Sequence, residues 1–414
     1  MQSNDNGNMI VSNVPENKGS TRIVMLDALR GFTLLGILLI HSVYRFQTGL
    51  KLSDPTLTIP WLDGKIDSVI IFLFSGKAYA LFCFFLGFGY YIQFSSRVKK
   101  GYDYSKRYIW RLAILLVFGM VNIALYRGDI LVLYALTGSI VVLTRFWNNR
   151  SVLILAITLI LIPFDWFRII RYLINPDASP LYFARSLPSI KYAVTSGSFT
   201  ELIRSNLGPG LRENLLWYID EGRVFQAPGL FLLGVLAGRI KLLTHKSKNF
   251  YISAFLASVI GATILFYTKK YLISIISNEN IVVAVNNILT LIYNVVFSAA
   301  LLFGFIRIWH TKIGESGLTF LAKYGKMSLT VYLTQSLFGV FAFYGFGFSL
   351  TKFIGSTACI FIALIFFGIQ LYFSHRYLKT HQFGPVEYIW RKLTWIKFPK
   401  LYTGLQLKFL NGTK

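Results

Sequence analysis

Charged residues are scarce in this sequence, and acidic ones are the scarcest. Asp, Glu, Lys and Arg make up 14 % of the 414 residues, whereas a soluble domain has about 25 %. Apolar residues make up 55 % and aromatic residues 17 %. This balance excludes an ordinary soluble domain and predicts an integral membrane protein.

The shortage of acidic residues leaves a large positive charge. There are 17 Asp and Glu against 42 Lys and Arg, which gives a net charge of +25. In a soluble protein this excess is typical of nucleic-acid binding. In a membrane protein it is expected at cytoplasmic loops and lipid headgroups. We therefore predict a lipid bilayer as partner and no nucleic acid.

Cysteine is also rare, and the common catalytic motifs are missing. Cys83 and Cys359 each lie within an apolar run, and no residues have the spacing of a metal site. The sequence contains no recognised glycine-rich phosphate loop, no HExxH and no GxSxG. We expect neither a bound metal nor a bound cofactor.

Titratable residues occur in the first predicted membrane helix, at residues 22–46. A hydrocarbon core of about 30 Å needs about 20 helical residues, and the apolar run 32–40 is too short. The helix must therefore include Arg30, His41 or both. At 100° per residue His41 lies within about 20° of Arg30 and roughly 16 Å further along, and Asp27 falls on nearly the same stripe.

Ionisable groups at membrane depth usually face a bundle interior or a wet cavity, so this stripe predicts a functional site. Two alternatives remain open. Arg30 extends to the headgroups as a positive anchor, or His41 is an interfacial residue in contact with water.

The string LDALRG, with His41 ten residues beyond its glycine, resembles the opening helix of membrane-bound acyltransferases that acylate sugars from a cytoplasmic acyl-CoA. Nearly the whole chain resembles the YeiB-like bacterial membrane proteins, whose C-terminal half is a domain of unknown function. Many of these proteins have Asn where this chain has His41, and a His often stands where this chain has Asn122. The strings that carry the resemblance are FLFSGKAYALFCFFLGFGYYIQ (72–93), GDILVLYALTG (128–138), FLLGVLAGR (231–239), GKMSLTVYLTQSLFG (325–339) and FGPVEYIWRKLTW (383–395).

The resemblance implies an activity and a location. An acyl group, such as acetyl, would move from cytoplasmic acyl-CoA, a co-substrate, to a small-molecule or glycan acceptor at the outer face of the bacterial plasma membrane. Arg30 would engage the donor. His41 would act as general base or transient acyl carrier.

Hydropathy predicts an all-α, polytopic membrane bundle of about ten helices. The predicted spans are 26–46, 68–94, 108–126, 130–146, 151–172, 224–242, 250–272, 281–309, 324–347 and 352–378. We expect a break near Gly76 in the second span, and no cleavable signal peptide before residue 22. The predicted domains are a disordered cytoplasmic tail (1–21), an N-terminal membrane half (22–172), an extracytoplasmic loop (173–223), a C-terminal membrane half (224–378) and a basic cytoplasmic tail (379–414).

Lys and Arg cluster after every second predicted span. The positive-inside rule then places both termini in the cytoplasm. Residues 173–223 fall on the outer side, and a loop of this length either contacts the acceptor or covers the bundle passively.

Four further residues are site candidates. Asp129 is a carboxylate that would hold the His41 imidazole in one tautomer, or a helix N-terminal Asp favoured by the helix dipole. Lys77 would bind an anion or stabilise an oxyanion, or extend to the headgroups. Arg107 and Arg111, one helical turn apart, would bind the phosphates of CoA, or anchor the cytoplasmic side.

The predicted ninth span has one polar face, on which Ser328, Tyr332 and Gln335 recur at i, i+4 and i+7. We interpret Tyr332 and Gln335 as candidates to line a substrate site. Polar contact between helices is the ordinary use of such a face.

Two other functions remain open. In a transporter or exporter of a small polar or lipid-linked solute, the stripe on the first helix would line the path and His41 would titrate. In a non-catalytic partner protein, the polar face of the ninth span would be an interaction surface. The sequence specifies neither donor, acceptor nor oligomeric state.

Overall fold

A computed structural model describes residues 20–46, 55–99, 101, 103–161, 164–184, 187–243 and 247–396. Within these ranges the fold is helical, with turns and one isolated β-bridge between Leu57 and Ile354. Two predicted tails are described only in part. Residues 1–19 of the tail 1–21 and residues 397–414 of the tail 379–414 lie outside the described residues.

The helices fall into three groups along the chain. The N-terminal group is α1 (Ser20–Val43), α2 (Pro60–Phe74), α3 (Lys77–Val98), α4 (Ser105–Leu125), α5 (Leu131–Thr137), α6 (Ile140–Leu143), α7 (Asn149–Leu161) and α8 (Asp165–Ile174). The middle group is α9 (Pro188–Thr195), α10 (Phe199–Ser205) and α11 (Leu211–Asp220), with a π-helical turn at Asn206–Gly210. The C-terminal group is α12 (Arg223–Arg239), α13 (Lys248–Ile275), α14 (Glu279–Trp309), α15 (Lys312–Leu318), α16 (Phe320–Lys326), α17 (Ser328–Phe343), α18 (Ser356–Tyr377) and α19 (Pro385–Thr394), with a 3-10 turn at Leu350–Lys352.

Six helical segments in the described part of the chain are long and apolar enough to cross a membrane, which makes this a helical membrane protein. They are Val24–Val43, Pro60–Val98, Ser105–Leu125, Lys248–Ile275, Glu279–Trp309 and Ser356–Tyr377. A seventh results if α7 and α8, bent by 51°, form one span.

The predicted number of ten spans is therefore too high. Helices form at all ten predicted positions, but α12 has 17 residues and α17 has 16. The apolar stretch formed by α5 and α6 is also too short, because a helix needs about 20 residues to cross a bilayer. Hydropathy detects apolar helices, and it does not distinguish a helix buried by its neighbours from one that faces lipid.

The break in the second predicted span is present between α2 and α3. Gly76 has a φ of 73°, a left-handed conformation that favours glycine. A Cβ at this position would also lie 2.1 Å from the side-chain nitrogen of Asn294 on α14. Both effects require glycine where α3 begins.

Helix α1 lies inside the bundle and packs against α2, α3, α16, α17 and α18. Of its span 67 % is buried within the protein, compared with 11 % for α13. Close approach of α1 and α16 depends on glycine, because a Cβ on Gly325 would lie 1.8 Å from the carbonyl oxygen of Asp27. The titratable residues of α1 are therefore carried by a core helix.

The middle group is attached to the bundle through a buried arginine. Arg168 on α8 pairs with Asp165 at 2.8 Å and with Asp220 on α11, and its Nε donates to the Leu181 carbonyl. The Asp220 carboxylate also accepts from the backbone N–H groups of Phe183 and Ala184. Buried charges persist when they are paired in this way, so α9 to α11 are held close to the bundle.

Candidate functional site

Two cavities lie toward the two ends of α1. The first, about 490 Å³ in volume, borders Asp27 and Arg30 and is called the basic cavity. The second, about 330 Å³, borders His41 and is called the histidine cavity. Because a helix rises 1.5 Å per residue, Arg30 and His41 lie roughly 16 Å apart along α1.

Cations outnumber carboxylates at the basic cavity. Asp27 pairs with Arg30 at 3.2 Å. Glu387 of α19 accepts from the backbone N–H groups of Leu329 and Thr330 at 2.6 and 3.0 Å, and so caps the start of α17. The cations that border the cavity are Arg30, Arg97, Arg111, Lys326 and Arg391. This excess favours an anionic ligand.

Helix α19 forms one wall of the basic cavity and is held there by arginine–tryptophan contacts. The Arg111 guanidinium lies 3.7 Å from the centre of the Trp390 ring. The Trp390 indole nitrogen donates to the Arg111 carbonyl at 3.0 Å. Arg111 therefore borders the cavity while also supporting its wall.

Arg107 has a different place from Arg111. Its Nη1 donates to the carbonyl oxygens of Thr394 and Ile396 at 2.9 and 2.8 Å, at the end of α19. A cation at a helix C-terminus satisfies carbonyl groups that lack partners within the helix. Arg107 is not among the residues that border the basic cavity, so it supports α19 rather than the cavity surface.

The histidine cavity contains both residues predicted to be catalytic, His41 and Asp129. The His41 ring packs against the rings of Phe46 and Tyr126, with centroid distances of 5.4 and 5.2 Å. Among the described residues no hydrogen bond joins His41 to a carboxylate. The middle group contributes Glu213, Asn214 and Trp217 to the cavity lining.

Asp129 lies in the turn between α4 and α5 and caps α5. Its Oδ1 accepts from the Asn122 amide at 2.7 Å, and its Oδ2 accepts from the Val132 N–H at 3.0 Å. Burial disfavours the charged carboxylate and raises the pKa of Asp129 from 3.8 to about 7, while these hydrogen bonds limit the rise. The carboxyl group can therefore gain or lose a proton near neutral pH.

Lys77 is directed away from both cavities. Its ammonium lies among aromatic rings, 5.1 Å from the centroid of Tyr293, 5.5 Å from that of Phe297 and 6.0 Å from that of Phe72. These are cation–π distances. Its neighbours Gly76 and Ala78 border the histidine cavity, whereas Lys77 contacts α2 and α14.

The polar face of α17 is divided between two roles. Ser328 and Tyr332 border the basic cavity. The Gln335 amide instead donates to the Leu34 carbonyl at 3.2 Å and to the Tyr324 hydroxyl at 2.9 Å. Gln335 thus makes a polar contact between helices, whereas Tyr332 belongs to a cavity wall.

Tyr134 and Tyr332 border both cavities. Tyr134 was not among the residues selected from the sequence. It lies in the string GDILVLYALTG, which also contains Asp129, but a single aromatic residue in an apolar run resembles any core residue. Arg223, which lies 4.5 Å from the ring centroid of Tyr79, was likewise not selected.

The described residues contain no group of three or more His, Cys, Asp or Glu side chains placed to hold a metal ion. Hydrogen-bonding and titratable side chains border both cavities.

Residues 237–397 match the model of a protein family of unknown function, DUF418, to which the YeiB-like proteins belong. The match includes Tyr332 and α19, whereas His41 and Asp129 precede it. It supports the YeiB-like part of the resemblance.

Two relatives extend the similarity over most of the chain. The first is "Uncharacterized protein YxaH" of Bacillus subtilis (strain 168), 25 % identical over 406 residues, covering 91 % of this chain and 95 % of the relative. The second is "Uncharacterized 39.9 kDa protein in amylase 3'region" of Bacillus acidopullulyticus, 25 % identical over 394 residues, covering 92 % and 96 %. Neither name assigns an activity. No solved structure matches the chain.

Proposed function

We propose that the protein is a transmembrane acyltransferase. It transfers an acyl group from acyl-CoA in the basic cavity to a sugar or envelope glycan in the histidine cavity. The observation that carries this proposal is that a cation-rich cavity and a cavity containing His41 meet at Tyr134 and Tyr332.

The basic cavity faces the cytoplasm of a bacterial cell in this proposal. Two features support the orientation. The cations at this end of the bundle follow the positive-inside rule. The start of α1 and helix α19 border the same cavity, so the first and last described helices meet on one side. Both termini then belong to the cytoplasmic side of the plasma membrane.

The donor enters with its phosphate groups toward the arginines. Arginine binds phosphate oxygens in bidentate geometry and remains charged at all relevant pH values. Arg30 on α1 and Arg111 on α4 both border this cavity, so one phosphorylated ligand can use both. The acyl end of the donor is directed toward Tyr134 and Tyr332.

The transfer step uses His41 as a general base. The acceptor hydroxyl attacks the thioester carbonyl carbon while the imidazole takes the hydroxyl proton. The tetrahedral intermediate collapses, the C–S bond breaks, and the CoA thiolate leaves and receives that proton from the imidazolium. Asp129 lies in the same cavity and orients the imidazole once the acceptor has bound, since catalytic hydrogen bonds often tighten only in the substrate complex.

Binding of the donor can be tested without knowledge of the acceptor. Acetyl-CoA should raise the thermal unfolding temperature of the purified protein, because a ligand at a hundred times its Kd stabilises the folded state by about 2.7 kcal/mol. Arg30→Ala should lose most of this increase.

Arg150→Ala is the matched control, because Arg150 is an exposed arginine of α7 that does not border the basic cavity. It should respond to acetyl-CoA as the unmodified protein does. No increase with any CoA thioester up to millimolar concentration would rule out the donor.

A transporter of a small polar or lipid-linked solute is the second candidate. The observation in its favour is that two side chains border both cavities, which suits a gated path as well as a transfer site. Solute movement in proteoliposomes that is independent of acyl-CoA would support the transporter.

A further inference from the structure

Two tyrosines border both the basic cavity and the histidine cavity and are called the shared wall. Tyr134 is carried by α5 and Tyr332 by α17. Both are buried, with exposed fractions of 1 % and 3 %. Among the described residues these two are common to the linings of both cavities, so they lie where a group moving directly from one cavity to the other would pass.

The hydroxyl groups of these tyrosines are buried and lack an acceptor for their protons within the described part of the chain. The backbone N–H of Ile130 lies beside the Tyr332 hydroxyl, but an N–H group can only donate, so it leaves the hydroxyl proton without an acceptor. The thiol of Cys83 lies beside the Tyr134 hydroxyl, but sulfur is a weak hydrogen-bonding partner. A buried hydroxyl without a partner is unfavourable, so a ligand that supplies an acceptor would be bound there.

The direction of the Tyr134 hydroxyl is fixed by packing. Its ring stacks on Phe82 at 5.9 Å with an interplanar angle of 11°, and it meets Phe231 edge-on at 5.7 Å. Asp129 caps the same short helix through the Val132 N–H. A hydroxyl held in this way is preorganised, which is the property that stabilises charge developing in a transition state.

We propose that Tyr134 and Tyr332 are positioning residues that donate hydrogen bonds to the carbonyl oxygen of the acyl thioester. This inference rests on the proposed acyltransferase function and assigns the place where the reacting carbonyl is held. The hydroxyls keep their protons throughout. They orient the carbonyl carbon toward the histidine cavity and stabilise the oxyanion that forms when the acceptor attacks.

The test uses membrane vesicles from cells that make the protein naturally, so that the acceptor is present, with radiolabelled acetyl-CoA as probe. Tyr332→Phe and Tyr134→Phe each remove one hydroxyl and keep the ring. We expect each to lower kcat for label incorporation by about 10-fold to 100-fold, below the range for losing a full oxyanion donor. The KM for acetyl-CoA and the thermal stabilisation by acetyl-CoA should change less than threefold.

Tyr324→Phe is the matched control. Tyr324 is also a buried tyrosine, but its hydroxyl already bonds to Gln335 and Gln370 and it borders neither cavity. This variant should lose stability and keep its kcat. A fall in kcat equal to that of Tyr332→Phe would overturn the positioning role, because it would show that any buried tyrosine has the same effect.

Failure of the inference is distinguishable from failure of the proposed function. Unchanged kcat in both Tyr134→Phe and Tyr332→Phe, with an active unmodified protein, overturns the inference and leaves the acyltransferase in place. An unmodified protein that neither binds acetyl-CoA nor incorporates label overturns both.

A labelling experiment tests the shared wall independently of activity. In a background with Cys83→Ala and Cys359→Ala, a cysteine introduced by Tyr332→Cys should react with a small methanethiosulfonate reagent added to either side of sealed vesicles. Acetyl-CoA on the side of the basic cavity should slow this reaction. Reaction from one side alone would overturn the shared wall.

Discussion

At the residue scale, Asp129 combines a structural role with a titration near neutral pH. Its carboxylate caps α5 through Val132 and is bonded by Asn122 on α4. The same position places it in the lining of the histidine cavity, which His41 also borders. The two interpretations made from the sequence, helix N-terminal Asp and partner of the imidazole, are therefore compatible.

The raised pKa of Asp129 predicts a pH dependence of stability. Between pH 4 and 7 the native state holds a proton that the unfolded state, with its pKa of 3.8, has released. The free energy of unfolding therefore falls as pH rises through this range. The side chain in Asp129→Asn stays neutral and keeps an oxygen acceptor. The unfolding temperature of the variant minus that of the unmodified protein should therefore increase from pH 5 to pH 8. Parallel curves across this range would contradict the burial of a titrating carboxyl group.

Individual site residues differ in how far the sequence could specify them. Periodicity predicted that Asp27, Arg30 and His41 share a stripe on one helix, because their positions depend only on local geometry. The partners of Arg107 lie 287 and 289 residues away in the chain, so its contact with α19 could not be read from spacing. Lys77 likewise contacts rings on α14, more than 200 residues away.

At the element scale, α19 connects the C-terminal segment to the candidate donor site. Its Glu387 caps α17, its Trp390 stacks on Arg111, and its end is bonded by Arg107. The sequence predicted a basic tail after residue 378. The helix within it could not be predicted to line a cavity, because each of these contacts involves a distant part of the chain.

Loss of Trp390 should loosen this wall. Trp390→Ala removes a cation–π contact and the hydrogen bond to the Arg111 carbonyl, which together contribute about 1–3 kcal/mol. We expect faster proteolysis at α19 and a smaller thermal stabilisation by acetyl-CoA. The control is Tyr388→Ala on the same helix, because Tyr388 is 56 % exposed. Equal proteolysis of the two variants would contradict the role of Trp390.

At the scale of the whole molecule, short buried helices explain why fewer spans form than hydropathy predicted. Tyr134 and Tyr332 belong to two such elements, α5 and α17, which are apolar but too short to count as spans. These helices supply the wall between the cavities. Fold class could therefore be predicted from composition, whereas the number of spans required knowledge of which apolar surfaces face protein.

The proposed account also fixes the direction of transfer through the molecule. Arg30 and His41 are attached to one mostly buried helix, so the donor and acceptor ends are separated by roughly 16 Å along its axis. The donor must arrive on the side of the basic cavity and the product must appear on the side of the histidine cavity.

The most direct test of this account measures transfer in vesicles of known sidedness with His41 unmodified or changed to Asn. Inside-out vesicles supplied with radiolabelled acetyl-CoA should incorporate acetyl groups into a product on their inner face, and right-side-out vesicles should not use external acetyl-CoA. His41→Asn should keep the thermal stabilisation by acetyl-CoA and lose incorporation by about 10²-fold to 10⁴-fold, the usual effect of removing a general base. Unchanged incorporation in His41→Asn would contradict the account. Use of external acetyl-CoA by right-side-out vesicles would contradict it as well.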